Sequence, residues 1–168
     1  MKTTVCFASK KFAECVDFCL ALDKKCFPQK MWLDDGEICG LLKAEAWATT
    51  VTYNGQKIGL SITMPEKEAG ILLDGADQLF TPQRWGAYSY SEAIHPDFQN
   101  QGIGSLLIRE TMIFIADKGF TSLSAHVRRK NGWDEKREGT ISLIEKRPVE
   151  GFWPPVLKEP VMFQNAHI

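Results

Sequence analysis

Ala93-Ile94-His95-Pro96-Asp97-Phe98-Gln99-Asn100-Gln101-Gly102-Ile103-Gly104-Ser105-Leu106-Leu107-Ile108 is the stretch on which the reading of this chain turns. A strand-like run, Trp85 to Ile94, leads into it and stops at His95-Pro96. A helix is expected from about Ile103 to Lys118, with Gly119 placed as the left-handed residue past its end. The first backbone N–H groups of a helix have no intrahelical acceptor, and the helix dipole adds partial positive charge there. A diphosphate is the natural ligand of such a turn. Gly102 and Gly104 carry no Cβ, so a ligand can approach the backbone closely.

A bare Gly-x-Gly is a weak signal. Here it coincides with a strand before, a helix after, and the polar Gln99 three residues before the first glycine. The dinucleotide fingerprint Gly-x-Gly-x-x-Gly is not met, because position 107 is Leu. The Lys-Ser/Thr pair of a phosphate-binding P-loop is missing as well. Dehydrogenase and nucleoside-triphosphatase readings are therefore poor.

Outward from the turn, the N-terminal side alternates helix and strand signals. Thr3 to Phe7 reads as a short strand, and Ser9 as a helix N-cap. Phe12, Cys15, Val16, Cys19 and Leu20 then recur at helical spacing, with Pro28 beyond the helix end. Glu37 to Lys43 reads as a shorter helix. Ala46 to Tyr53 and Lys57 to Met64 read as strands joined by Asn54-Gly55, a type I′ hairpin signal. Residues 65–84 look loop-like and long, either a functional flap or a surface insertion. Thr121 to Arg128 is a further strand, Thr140 to Lys146 a short helix or strand, and Glu159 to Gln164 a candidate last strand. The order is α+β, an antiparallel meander followed by a strand–helix–strand unit.

The chain has 168 residues, 44% of them hydrophobic and 24% charged, which suits one domain spanning 1–168. Net charge is −1, which argues against a general nucleic-acid binder. No segment approaches the roughly 20 apolar residues of a membrane span, and the first residues lack a signal-peptide core. A cytoplasmic location is expected. The five cysteines, Cys6, Cys15, Cys19, Cys26 and Cys39, form no Cys-x-x-Cys pair and have no histidine nearby to complete a metal set. They read as reduced thiols, and no metal is expected.

The signature Gln99-x-x-Gly102-x-Gly104 resembles that of the GCN5-related N-acetyltransferases, the GNAT family, whose pattern is Gln/Arg-x-x-Gly-x-Gly/Ala. Ile94-His95-Pro96 before it, Leu106-Leu107 after it, and the order of the flanking elements are similar as well. The resemblance implies a mixed, mostly antiparallel central sheet flanked by helices in three α/β/α layers. It implies acetyl-coenzyme A as the cofactor and a primary amine, on a small molecule or protein, as the acceptor. Backbone N–H groups of Gln99, Asn100, Gln101, Gly102, Ile103, Gly104 and Ser105 would hold the pyrophosphate. The main chain of Ala93 and Ile94 would pair with the pantetheine like an added strand. Asn131 matches an asparagine that the family places beside the pantetheine arm. Arg109, one turn further on, would meet phosphate charge or stand solvated. A homodimer is left open.

Acyl transfer to an amine needs a proton acceptor, alignment of the reactants, and stabilisation of negative charge. Simple alternation along the strand puts Tyr88, Tyr90 and Glu92 on one face. Glu92 is the carboxylate among them and the candidate base. Tyr88 and Tyr90 either line the acceptor slot or are ordinary strand aromatics. The family often supplies a tyrosine as general acid before a Gly-Phe pair. Gly151-Phe152 resembles that pair, but no tyrosine follows Tyr90. The departing thiolate would then be protonated by water, by Tyr88 or Tyr90, or by His126, although a core or surface histidine is the plainer reading of His126. The missing tyrosine supports a second reading, a non-catalytic acyl-coenzyme A sensor, and a toxin- or host-directed modifier of protein or RNA is a further alternative. Arg128-Arg129-Lys130 with Lys136-Arg137 is a basic run that fits a nucleotide 3′-phosphate or a solvated loop.

Overall fold

The computed structural model describes residues 4–73, 80–126 and 142–148. The chain runs β1 (Val5–Lys11), α1 (Val16–Cys26), α2 (Asp35–Lys43), β2 (Trp47–Tyr53), β3 (Gln56–Pro65), α3 (Glu66–Leu73), β4 (Gly86–Ile94), α4 (Ile103–Asp117), β5 (Ser122–His126) and β6 (Ser142–Pro148). The strands form one sheet in sequence order. Every neighbouring pair is antiparallel except β4 and β5, which α4 connects as a parallel crossover.

The hairpin between β2 and β3 turns at Asn54 and Gly55, both with positive φ, 47° and 85°, as a type I′ turn demands. One face of the sheet packs against α1, α2 and α3 through Phe12, Cys19, Leu22, Leu41, Ile62 and Met64. The other face packs against α4 through Val51, Ile58, Ile94 and Leu107, and further along through Ala87, Ile115 and Leu123. The three-layer α/β/α arrangement is therefore present. Met64 and Ile115 are fully buried. Truncating either to Ala should cost about 2–5 kcal/mol, transfer and cavity terms together.

Two local expectations fail for identifiable reasons. Ser9 caps no helix. It lies inside β1, and its hydroxyl sits 2.8 Å from that of Thr49 across the strand pair. Cys15 occupies the N-cap of α1 after a 3-10 turn at Phe12–Glu14. Part of the supposed loop at 65–84 is α3. Its glycine is tolerated because Pro82 lies against Gly70 where a Cβ would stand. The N-cap of α2 had also gone unread. Asp34 Oδ1 accepts from the Glu37 N–H at 2.8 Å and Glu37 Oε2 accepts from the Asp34 N–H at 3.0 Å, a capping box. The ambiguous segment 140–146 contributes a strand, β6, while the candidate strand at 159–164 lies outside the described residues.

The register of β3 on β4 positions the site. Partners run Gly59↔Ile94, Leu60↔Ala93, Ser61↔Glu92, Ile62↔Ser91, then jump to Thr63↔Ser89. Tyr90 is the extra residue of a β-bulge. On its other side β4 pairs with β5 only over Gly86 to Ser89. Among the described residues, no strand pairs with that edge of β4 from Tyr90 to Ile94.

Candidate active site

The glycine turn folds as its sequence demands. Asn100 and Gly102 take positive φ, 59° and 77°, and Gly102 caps α4 in the left-handed region. A Cβ on Gly102 would meet nothing within 4 Å, and one on Gly104 would meet only Ile94 Cγ1 at 3.8 Å. The space in front of the α4 N-terminus is thus open, and the N–H groups of the first turn face it without intrahelical acceptors. This is the geometry of an anion cradle. Gln99 ties the cradle to the sheet, its side-chain amide donating to the Ile94 carbonyl at 2.8 Å. Gln101 steadies the turn itself by donating to the Asp97 carbonyl at 3.2 Å.

The His95 N–H donates to the Ile58 carbonyl at 2.7 Å. Antiparallel alternation then turns the N–H and C=O of Ala93 onto β3 and those of Glu92 and Ile94 onto the opposite edge, which has no strand partner there among the described residues. Ala93 was expected to offer its main chain to a ligand. The register commits it to Leu60 instead, and Glu92 takes its place beside Ile94. The Ile94 carbonyl also receives the Cys26 thiol at 3.3 Å, so both of its lone pairs are used.

The bulge separates the three residues that simple alternation had put together. Glu92 lies on the α4 face, where its Oε1 accepts from Ser89 Oγ at 3.0 Å and from Ser61 Oγ at 3.4 Å. Tyr88 and Tyr90 lie on the opposite face, packed in the α1–α2–α3 core. The extra residue at Tyr90 shifts the parity by one, which is why Ser89 and not Tyr88 shares the Glu92 face. Burial pushes the Glu92 carboxyl up to about 7, against the pull of the Ser89 and Ser61 hydroxyls. No charged neighbour among the described residues contributes.

Tyr90 donates to Glu37 Oε1 at 2.6 Å. Burial and then this carboxylate hold its phenol well above the ordinary tyrosine range. Tyr88 is 4% exposed and makes edge contacts with Phe80 and Tyr90. Beneath them Glu66, fully buried, accepts from the Gln83 N–H at 2.6 Å and from Ser124 Oγ at 2.7 Å. It fastens the start of β4 to β5. Among the described residues no cluster of three or more His, Cys, Asp or Glu side chains could hold a metal. No described helix is long and apolar enough to cross a membrane.

Residues 6–133 match the family model described as Acetyltransferase (GNAT) family. The chain belongs to the GNAT family. Its fold is shared by the ribosomal-protein-S18-alanine N-acetyltransferase from Escherichia coli, 16% identical over 77% of this chain and 70% of that one, with a TM-score of 0.56. An aminoglycoside N-acetyltransferase AAC(6')-Iy in complex with CoA is 12% identical over 78% and 82%, with a TM-score of 0.56. The PaiA N-acetyltransferase from Thermoplasma acidophilum, in complex with coenzyme A, is 9% identical over 77% and 82%, with a TM-score of 0.52. No curated protein sequence matches significantly.

Family membership supports acetyl transfer in general. Of the GNAT motif residues expected from the sequence, Asn100 to Gly102 form the turn and Ile103 to Ser105 open α4, while the Gln99 N–H donates to the Pro96 carbonyl at 3.2 Å and not to the space before the helix. Asn131, the basic run at 128–137 and the Gly151-Phe152 pair lie outside the described residues. Four side chains that touch the site had not been read from the sequence. Ser61 and Ser89 hold Glu92, Glu37 holds Tyr90, and Cys26 caps Ile94. The spacing of Ser89 to Glu92 is uninformative without the bulge, and the other three are brought in from distant elements.

Proposed function

We propose that this protein is an acetyl-coenzyme A-dependent N-acetyltransferase that transfers acetyl directly to a primary amine, with Glu92 as the general base. The observation that supports it is the meeting of two features at one strand-to-helix turn. An open anion cradle stands at the α4 N-terminus, and a carboxyl pushed up to about 7 by burial stands on β4, the strand that leads into it. The donor thioester supplies the activated acetyl group. The chain's own residues do the rest. Backbone N–H groups of Gln101 to Ser105 bind the pyrophosphate, and the Glu92 main chain with the Ile94 N–H offers strand-like pairing to the pantetheine. Glu92 takes the proton from the incoming ammonium, so that the neutral amine attacks. Tyr90, held by Glu37 on the opposite face, takes no part in the proton transfer. Cys26, whose thiol donates to the Ile94 carbonyl, is pushed up to about 11 by burial, which disfavours a thiolate and favours direct attack over a covalent enzyme intermediate.

The domain spans 1–168 and works in the cytoplasm in this reading. Acetyl-coenzyme A is offered with a panel of amines and peptides, and free thiol is followed. Thiol release with at least one acceptor is the expected result. Tight coenzyme A binding with no release for any acceptor would support a non-catalytic acyl-coenzyme A module, for which the missing late tyrosine argues. Failure to bind coenzyme A would sink both.

A further inference from the structure

We propose that Ser89 and Ser61 are positioning residues for Glu92: both donate to Oε1, which fixes the carboxyl rotamer and leaves Oε2 to receive the amine proton. The inference rests on the reading of Glu92 as base and adds which oxygen works and what holds it.

The geometry carries the argument. A carboxylate has two oxygens and about four acceptor directions. Here the described donors converge on one oxygen, Ser89 Oγ at 3.0 Å and Ser61 Oγ at 3.4 Å. The two serines come from different strands, Ser61 opposite Glu92 in register and Ser89 brought onto the same face by the bulge at Tyr90. Both are buried, at 0% and 4% exposure, so their hydroxyls are shielded from competing water. Among the described residues, no other hydrogen bond to that carboxyl is present. The buried face of α4 carries Ile103, Leu107, Ile108 and Thr111, and the Thr111 hydroxyl is engaged with the Leu107 carbonyl at 2.8 Å. The Glu92 face of the sheet carries Leu123 and Ala125 from β5, and Gly59 and Thr63 from β3. None of these side chains titrates. A proton taken at Oε2 leaves the Oε1 hydrogen bonds intact, so the side chain need not turn between its two protonation states.

A hydroxyl that donates to a carboxylate favours the charged form. Removing it should therefore raise the pH at which Glu92 ionises. The experiment follows the carboxyl carbon of Glu92 by 13C NMR in the protein without cofactor, together with kcat/KM against pH. In Ser89→Ala both midpoints should move up by about one pH unit, so that kcat/KM falls about tenfold below the limb and recovers above it. Ser61→Ala, whose contact is longer, should move both by less, and Ser89→Thr should restore the unsubstituted midpoint. A Ser89→Ala protein whose Glu92 midpoint stays in place while its thermal melt is unchanged overturns the proposal. Glu92→Gln tests the underlying reading separately: if it keeps the ascending limb, the base lies elsewhere and the positioning role falls with it.

Discussion

The two faces of β4 differ by one inserted residue. On the α4 face stand Ser89, Glu92 and Ile94, on the strand that leads into the glycine turn. On the other stand Tyr88, Ser91 and Ala93, with Tyr90 turned toward α2, where Glu37 receives its hydroxyl. Both faces hold polar atoms, but they use them differently. Among the described residues, the α4 face directs its donors to one oxygen of the Glu92 carboxyl and leaves the other without one, whereas the opposite face ties its phenol to a carboxylate. The lesson is that a β-bulge decides which side chains are chemical and which are walls, by shifting the parity of the strand at Tyr90.

The largest effect expected is loss of the cradle itself. Gly104→Glu places a carboxylate in front of the helix N-terminus, where a phosphate would sit. Coenzyme A affinity by calorimetry should fall more than about 100-fold, through steric block and like-charge repulsion. The fold should survive, because a Cβ at Gly104 meets only Ile94 Cγ1 at 3.8 Å, an ordinary contact. Retained affinity would mean that the open space before α4 is not the cofactor site.

Next comes the base. Glu92→Gln should lower kcat by about 100-fold or more and remove an ascending limb near pH 7, with coenzyme A affinity nearly unchanged. Stability gives an independent check. The Glu92 carboxyl titrates at about 7 when folded, above its ordinary 4.5. The folded state therefore binds the proton more tightly than the unfolded chain, and stability falls as pH rises through that window. Glutamine has no charge to bury. The variant should match the parent near pH 4 and melt about 2–4 °C higher at pH 8. A variant that melts no higher at pH 8 than at pH 4, relative to the parent, would show that the carboxyl is not strained by burial.

Much of the α4 face was legible in the sequence. A strand, a turn with two positive-φ positions and a 15-residue helix follow from local chemistry between Trp85 and Gly119. The hairpin at Asn54-Gly55 was legible for the same reason. What stayed hidden depended on pairing at a distance. Ser9 looks like a cap until Thr49 is opposite it, and α3 looks like loop because Gly70 weakens the pattern that Pro82 tolerates in space. The bulge is the sharpest case. No residue between Ser89 and Ser91 announces it, because it arises from the register of β3 against β4. Alternation without it puts Tyr88, Tyr90 and Glu92 together, and the folded chain separates them.

A smaller effect is expected where the cradle is fastened to the sheet. Gln99→Leu deletes the donor to the Ile94 carbonyl while keeping the volume. The turn and the strand edge would then lose a shared anchor, although Cys26 still caps that carbonyl. KM for acetyl-coenzyme A should rise about fivefold, the cost of about 1 kcal/mol in positioning, with kcat unchanged. An equal fall in kcat would place Gln99 in the reaction and not merely in binding.

The mildest change should come from the opposite face. Tyr90→Phe removes the hydroxyl that Glu37 accepts at 2.6 Å and leaves the ring in its contact with Tyr88. A partly buried hydrogen bond to a carboxylate contributes about 1–2 kcal/mol, and Glu37 keeps its capping role toward Asp34 through the other oxygen. The melt should drop by a few degrees, and kcat should stay within about threefold of the parent. If Tyr90 were the acid that protonates the departing thiolate, kcat would fall by about 100-fold and the descending limb of the pH profile would disappear. That outcome would return chemistry to the walled face and reverse the division that the bulge imposes.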